Sequence, residues 1–229
     1  MKILITGTNR GLGRFLLKIL SKKFKVDTFT RKDKINDYIN HQLYDLIIHC
    51  AANVSHYNWE DDIPYSFYND NVFLTKELLN ISHKKFIYIS SIDQQKSSPY
   101  GICKKISESI VKEYSKNYLI IRPTGLLGEE MKKNTFQKIL NGEPIALTKN
   151  SIMNYVLYDD VLLTSLSDKQ GIVTLCADGD VTMEETAELM SQNIKYGNIY
   201  FNIESDKFQP TLKNSSKENI IKYLEKYEK

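Results

Sequence analysis

Met1-Lys-Ile-Leu-Ile-Thr-Gly-Thr-Asn-Arg-Gly-Leu-Gly13 decides the fold. Lys2 to Thr6 reads as a short buried strand, and Leu12, Phe15, Leu16, Ile19 and Leu20 recur at the spacing of an amphipathic helix. Gly7, Gly11 and Gly13 make the turn between them. Strand, glycine turn and helix in that order present backbone N–H groups and a helix N-terminus to a pyrophosphate. Gly7 permits the turn, Gly11 lets the backbone approach phosphate, and Gly13 lets the helix pack closely on the strand. With Asn9, Arg10 and Leu12 they form the expected dinucleotide contacts. A glycine pattern alone is weak, but the flanking strand and helix strengthen it.

Val26 to Phe29 predicts a second strand ending in Thr30-Arg31. In a βαβ dinucleotide unit a carboxylate near this point accepts from the adenosine 2′-hydroxyl, whereas an arginine accommodates a 2′-phosphate. Arg31, with Arg10 in the glycine turn, favours NADP and leaves NAD as the alternative. The competing reading has Arg31 solvated, with Asp27 or Asp33 reading the ribose. Leu46 to Cys50 predicts a third strand, after which Ala51 and Ala52 are small enough for a cofactor to lie against. Residues 53–62 read as a loop and Tyr65 to Ser82 as one long helix. Asn71 falls inside that helix, where a buried amide needs a partner.

Candidate chemistry gathers in residues 86–104. Phe86 to Ile89 predicts a strand with Ser90 and Ser91 at its C-terminal end, where open parallel sheets bind ligands. Pro99 opens a helix carrying Tyr100 and Lys104, and a spacing of four puts both on one face. A free tyrosine has a pKa of about 10, so a nearby ammonium that stabilises the phenolate is expected to lower it. A serine hydroxyl beside the tyrosine could bond a substrate carbonyl. Such a group suits proton transfer coupled to hydride transfer.

The bulk numbers narrow the class. A 41% hydrophobic and 26% charged chain of 229 residues is ordinary for a globular protein with a sizeable core. The net charge of +3 comes from scattered lysines, which argues against nucleic acid or a membrane surface as partner. No apolar run approaches the roughly 20 residues of a membrane span, and no secretory leader is read at Met1. Cys50, Cys103 and Cys176 are far apart without a CxxC, as in a reducing compartment, so the expected location is the cytoplasm. His41, His49, His56 and His83 lack ligand spacing, so no metal is expected.

These motifs together resemble the short-chain dehydrogenase/reductase superfamily, most nearly its extended branch of sugar epimerases, dehydratases and reductases. The resemblance runs from residue 1 to about residue 190 and also includes Asn71-Val72, Glu108, Ile121-Arg-Pro-Thr-Gly-Leu-Leu-Gly128 and Tyr155-Val-Leu-Tyr-Asp-Asp160. It implies an α/β fold: a Rossmann-like, doubly wound parallel sheet over residues 1–128 and a small C-terminal substrate lobe over 129–229, interleaved with the last sheet elements and a C-terminal helix. It further implies Tyr100 as acid/base, Lys104 as ribose binder and tuner of Tyr100, and Ser91 as the polarising hydroxyl beside a structural Ser90. Asn71 would hold the active-site helix or a water relay, and Arg122-Pro123 would lie near the nicotinamide.

The departures are specific. Gly7-x-x-x-Gly11-x-Gly13 has the spacing of the shorter single-domain dehydrogenases, and only nine positions separate Ser91 from Tyr100. The stretch from Arg31 to Asp45 is also short, as in 4-keto-reductases of the dTDP-4-dehydrorhamnose reductase type. Where that branch usually carries a phosphate-gripping arginine stands Met153, and no arginine follows Arg122. Lys132, Lys133, Lys138 and Lys149 are the substitutes, against their reading as solvated surface lysines.

Thr182-Met-Glu-Glu185 and Ser215-Ser-Lys-Glu218 read as capping boxes, the first opening a helix to about Ile194. The second opens an amphipathic helix with Ile220, Ile221 and Leu224, expected to pack on its own chain, with a homodimer left open. The leading function is NADP-dependent reduction of a keto group on a small-molecule substrate, a sugar or nucleotide sugar. Alternatives are an NAD-dependent epimerase and a non-catalytic NADP-sensing protein. A dehydratase ranks third among the enzymes, since Ile92 stands where an extra acid is needed beside Asp93.

Overall fold

The computed structural model describes residues 1–39, 43–203 and 208–228. In chain order the first elements are β1 (Lys2–Thr6), α1 (Gly11–Leu20), β2 (Lys25–Phe29), α2 (Asn36–Ile39), β3 (Tyr44–His49), α3 (Tyr65–Tyr68), α4 (Leu74–Leu78), β4 (His83–Ile89), α5 (Pro99–Tyr114) and β5 (Tyr118–Pro123). The later ones are β6 (Gly125–Leu127), α6 (Thr135–Leu140), β7 (Ile152–Met153), β8 (Tyr155–Leu157), α7 (Tyr158–Ser165), β9 (Gly171–Leu175), β10 (Val181–Thr182), α8 (Met183–Leu189) and α9 (Ser216–Tyr227).

The chain forms two compact units, one of Met1–Arg122 with Leu162–Val173 and one of Pro123–Val161 with Thr174–Lys229. The first holds a six-stranded sheet in the order β2-β1-β3-β4-β5-β9. β1 pairs parallel with β2 and β3, as do β3 with β4 and β4 with β5. The apolar runs read as strands are buried because helices cover both faces of such a sheet. Ile3, Leu4, Ile5, Ile47, Ile48, Ile87, Ile120 and Ile121 are fully buried. Strand order reverses between β1 and β3, so the loops after these strands face each other at the C-terminal edge. Open α/β sheets bind ligands there.

The helix expected over 65–82 is present in altered form. α3 and α4 are joined by a π turn, Asn69–Phe73, and the helix ends at Leu78. One extra residue in the turn rotates Asn71 inward, where its amide finds the partner a buried asparagine requires. α8 also ends earlier than expected, at Leu189 rather than near Ile194. Ser191 takes the left-handed conformation at φ 54°. Its N–H bonds the Glu188 carbonyl and the Gln192 N–H bonds that of Ala187, each at 2.9 Å. This is a Schellman stop with serine where glycine is usual.

In the second unit β6 pairs with β8 and β7 with β10. Buried Asn154 is its polar centre. Its Oδ1 accepts from Thr124 Oγ1 and the Ala177 N–H at 2.9 Å, and its Nδ2 donates to Asp180 Oδ1 at 2.8 Å. Both expected capping boxes form. α9 packs on its own chain through Ile220 and Tyr223, and Asn219 Nδ2 donates to the Tyr155 carbonyl at 2.8 Å. Ile221, expected on the apolar face, is exposed. Among the described residues no helix is long and apolar enough to cross a membrane.

Candidate active site

The glycine turn follows β1 directly. Gly7 and Gly11 have φ of 73° and 58°, which favours glycine. A Cβ on Gly7 would lie 2.7 Å from the Ala51 nitrogen, and one on Gly13 would run into the Gly7 carbonyl oxygen. The ends of β1 and β3 therefore meet backbone to backbone, with Ala51 and Ala52 half-buried beside the turn. Asn9 and Arg10 are exposed in the turn and Leu12 is buried in the first turn of α1. Arg10 is the N-cap residue of α1 without a side-chain cap, and no acidic side chain lies in the helix's first turn. Such an N-terminus keeps its N–H groups directed at an anion, so these residues fit a dinucleotide pyrophosphate.

A hydrogen-bond chain runs from this turn to Asn71. The Ala51 N–H donates to Thr6 Oγ1 at 3.0 Å, and Thr6 Oγ1 lies 2.8 Å from His49 Nδ1. His49 Nε2 lies 3.0 Å from Thr75 Oγ1, which donates to Ser107 Oγ at 3.5 Å. Ser107 Oγ then donates to the Asn71 carbonyl at 2.6 Å. The roles are consistent with a neutral His49 protonated on Nε2: each hydroxyl donates once and accepts once. Burial pushes the His49 pKa down to about 3, which agrees. Asn71 completes the set, with Oδ1 accepting from the Asn53 N–H at 3.0 Å and Nδ2 donating to the Asn53 carbonyl at 2.9 Å.

At the end of β4 the two serines have different surroundings. Buried Ser90 donates to Glu108 Oε1 at 2.6 Å. Ser91 is half-buried and caps a short 3₁₀ turn, Ile92–Gln95, its Oγ accepting from the Asp93 N–H at 3.1 Å. Since Ser91 accepts in that bond, its own O–H can donate elsewhere. The short segment that follows lies tightly against α5: a Cβ on Gly101 would run into the carbonyl oxygens of Asp93 and Lys96. The Trp59 indole donates to the Ser97 carbonyl at 2.6 Å.

Tyr100 is half-buried and Lys104 is buried on the same face of α5, with Lys104 Nζ 5.6 Å from the Tyr100 ring centre and 4.7 Å from that of Tyr88. The ammonium donates to the Ile89 carbonyl at 2.9 Å. Burial lowers the Lys104 pKa to about 8. Tyr100 departs from the expected lowering: burial, then the Asp93 charge, raises its pKa. Desolvation of the phenolate dominates, and the Lys104 ammonium is aimed at the Ile89 carbonyl instead.

Glu108, one turn beyond Lys104, accepts Arg122 Nε at 2.8 Å and Arg122 Nη2 at 2.5 Å besides Ser90. Pro123 closes β5 and is buried. Arg31 is mostly exposed and pairs with Asp70 in the π turn at 2.6 Å. In the second unit Met153 lies on β7, Lys133 pairs with Glu143 at 2.8 Å and Lys149 with Glu184 at 3.2 Å. Thus Gly7, Gly11, Gly13 and Ala51 come together, as do Ser90 with Glu108 and Tyr100 with Lys104. Arg31 instead lies against Asp70. No sequence spacing signals the hydrogen bonds of Asn53, Asp70, His49 and Glu108; a buried Asn71 calls for a partner without naming Asn53. Among the described residues no group of three or more His, Cys, Asp or Glu is placed to hold a metal, and His41 lies outside them.

The NAD dependent epimerase/dehydratase family model matches residues 3–162. Structures of similar fold include a dTDP-4-dehydrorhamnose reductase from Clostridium acetobutylicum, 19% identical over 100% of both chains with a TM-score of 0.80. Another is the Bacillus anthracis dTDP-4-dehydrorhamnose reductase in complex with NADP, 18% identical over 98% of both chains with a TM-score of 0.78. A third is the UDP-glucuronic acid 4-epimerase of Bacillus cereus in complex with UDP-glucuronic acid and NAD, 17% identical over 98% of both chains with a TM-score of 0.72. No curated protein matches the chain. The chain belongs to the NAD dependent epimerase/dehydratase family, with that family's Rossmann-like α/β fold and nicotinamide dinucleotide cofactor.

Proposed function

We propose that this family member is an NADP-dependent reductase acting on a keto group of a nucleotide sugar. The observation that carries the reading is the Tyr100–Lys104 pair on one face of α5, following a serine whose hydroxyl hydrogen is not used in its cap. When bound, the reduced nicotinamide supplies hydride to the carbonyl carbon. Ser91 Oγ–H bonds the carbonyl oxygen and stabilises the charge that develops there. Tyr100 gives that oxygen its proton. A phenol whose pKa burial has raised keeps its proton at neutral pH, which suits an acid in the reducing direction better than a base in oxidation. Lys104 binds the nicotinamide ribose and its charge favours phenolate as the proton leaves, while Glu108 fixes Arg122 and Ser90 beneath. The lobe of residues 129–229 binds the sugar nucleotide, and the place of action is the cytoplasm. The two dTDP-4-dehydrorhamnose reductases among the similar structures support this substrate class.

Titration with NADPH and NADH, followed by assay on a 4-keto nucleotide sugar, tests the reading. NADPH should bind, and Tyr100→Phe should bind it equally while losing at least about 100-fold in turnover. NAD that copurifies tightly, with interconversion of sugar epimers and no net cofactor oxidation, would favour the epimerase, a reading that the UDP-sugar epimerases of similar fold support. Cofactor binding without Tyr100-dependent turnover on a broad keto-sugar panel would favour a sensor.

A further inference from the structure

Arg31 follows β2 with its side chain 80% exposed, whereas the Asp70 side chain is 14% exposed. Arg31 Nε lies 3.3 Å from Asp70 Oδ1 and Nη2 lies 2.6 Å from Oδ2. This uses the guanidinium fork in the two-point geometry by which arginine also takes a phosphate. The carboxylate is the fixed member of the pair. It sits on the π turn beside Asn71, whose amide is doubly bonded to the Asn53 backbone, and Asn53 Nδ2 lies 3.4 Å from Asp70 Oδ2. Asp70 is thus held near the ends of β2 and β3, at the edge where a dinucleotide's adenosine ribose binds.

We propose that Asp70 is a specificity-determining residue that restrains the preference for NADP over NAD by occupying the Arg31 fork. The inference rests on the reading of Arg31 as the 2′-phosphate binder. A 2′-phosphate must displace the carboxylate from the fork and then lie near its negative charge. A 2′-hydroxyl leaves the pair intact. The ion pair therefore penalises NADP selectively and brings the two cofactors closer in affinity than two arginines without a carboxylate would.

The test is the affinity of NADPH and NADH, read by nicotinamide fluorescence, for the wild type, Asp70→Asn, Arg31→Ala and the double variant, with Asp70→Ser as a second probe of the same position. Exposed ion pairs are weak, so Asp70→Asn should tighten NADPH about five-fold and leave NADH within about two-fold. Arg31→Ala should weaken NADPH alone, and in that background Asp70→Asn should give no gain. Equal gains for both cofactors, a gain that persists without Arg31, or weakened NADH binding would each overturn the proposal while leaving the reductase reading standing. If Arg31→Ala leaves NADPH binding unchanged, the assignment of Arg31 fails and the proposal with it. Binding of neither cofactor to the wild type would overturn the reductase reading as well.

Discussion

Gly13 in the first unit and Gly179 in the second both favour glycine, yet for opposite reasons. Gly13 has ordinary helical geometry, but a Cβ there would strike the Gly7 carbonyl. Gly179 has φ of 104°, but around its Cβ position the nearest atom is Ser215 Cβ at 3.9 Å. One site lacks space and the other lacks conformational freedom. The first unit's ligand edge is built by backbone approaching backbone, which cannot yield without opening the sheet. The second unit's turn is held by side chains such as Ser216, whose Oγ donates to the Gly179 carbonyl at 2.7 Å and which can readjust.

The same substitution in both places separates the two causes. Gly13→Ala should destabilise by about 4 kcal/mol or more and abolish dinucleotide binding, because the obstacle is a main-chain oxygen. Gly179→Ala should lose only about 1–2 kcal/mol, the conformational strain of a left-handed alanine. Urea unfolding with an NADPH titration checks both; equal losses would remove the distinction.

The first unit also carries the buried ionisable groups whose pH dependence has a definite sign. His49 stays neutral in the fold down to about pH 3, whereas an unfolded histidine takes its proton near pH 6.5. Between these values the unfolded chain binds more protons, so stability falls as pH drops from 6.5 towards 3, by roughly 3–5 kcal/mol from this group. His49→Gln should flatten that part of the acid limb, measured by urea unfolding between pH 7 and 4. Lys104 works at the other end of the scale. Its folded pKa of about 8 lies below the ordinary 10.5, so between these values the unfolded chain again binds more protons and stability rises with pH. The stability advantage of Lys104→Met over the wild type should therefore shrink by about 3 kcal/mol from pH 8 to 10.5. An unchanged gap would mean that the ammonium is solvated, and with it the proposed pairing with Tyr100 would weaken.

What the sequence disclosed follows the same division. Gly7, Gly11, Gly13 and the two capping boxes are legible because each belongs to a short local motif, although the Ala51 backbone that crowds Gly7 lies far along the chain. The chain through Thr6, His49, Thr75 and Ser107 was not, since His49 meets Thr6 and Thr75 across separations of 43 and 26 residues. The need for glycine at 101 arises from carbonyls in the shortened segment before α5, which no spacing announces. α8 stops short of the expected Ile194 because Ser191 takes the left-handed place where a glycine would signal a stop. The sign of the Tyr100 shift depends on burial, which a Tyr-x-x-x-Lys spacing does not report.

Helix N-termini offer the smallest and most direct contrast between the units. In α9 the Ser215 side chain accepts from the Glu218 N–H, and the Glu218 carboxylate accepts from the Ser215 N–H at 2.6 Å. The first-turn donors are satisfied by the helix's own residues, and Ser215→Ala should lose about 1 kcal/mol. α1 has Arg10 in the capping position in extended geometry, with no side-chain cap. A first turn without a side-chain cap can offer its N–H groups to a ligand. Arg10→Ser should therefore change the protein in the opposite sense, stabilising the ligand-free form by about 0.5–1 kcal/mol through a new cap. It should also weaken NADPH binding, because the serine oxygen competes with phosphate for the same donors and a positive charge is lost. Thermal unfolding with and without NADPH reads both effects. Stabilisation without loss of affinity would show that the phosphate does not use the N-terminus of α1; loss of affinity alone would show that the first turn is already satisfied without it.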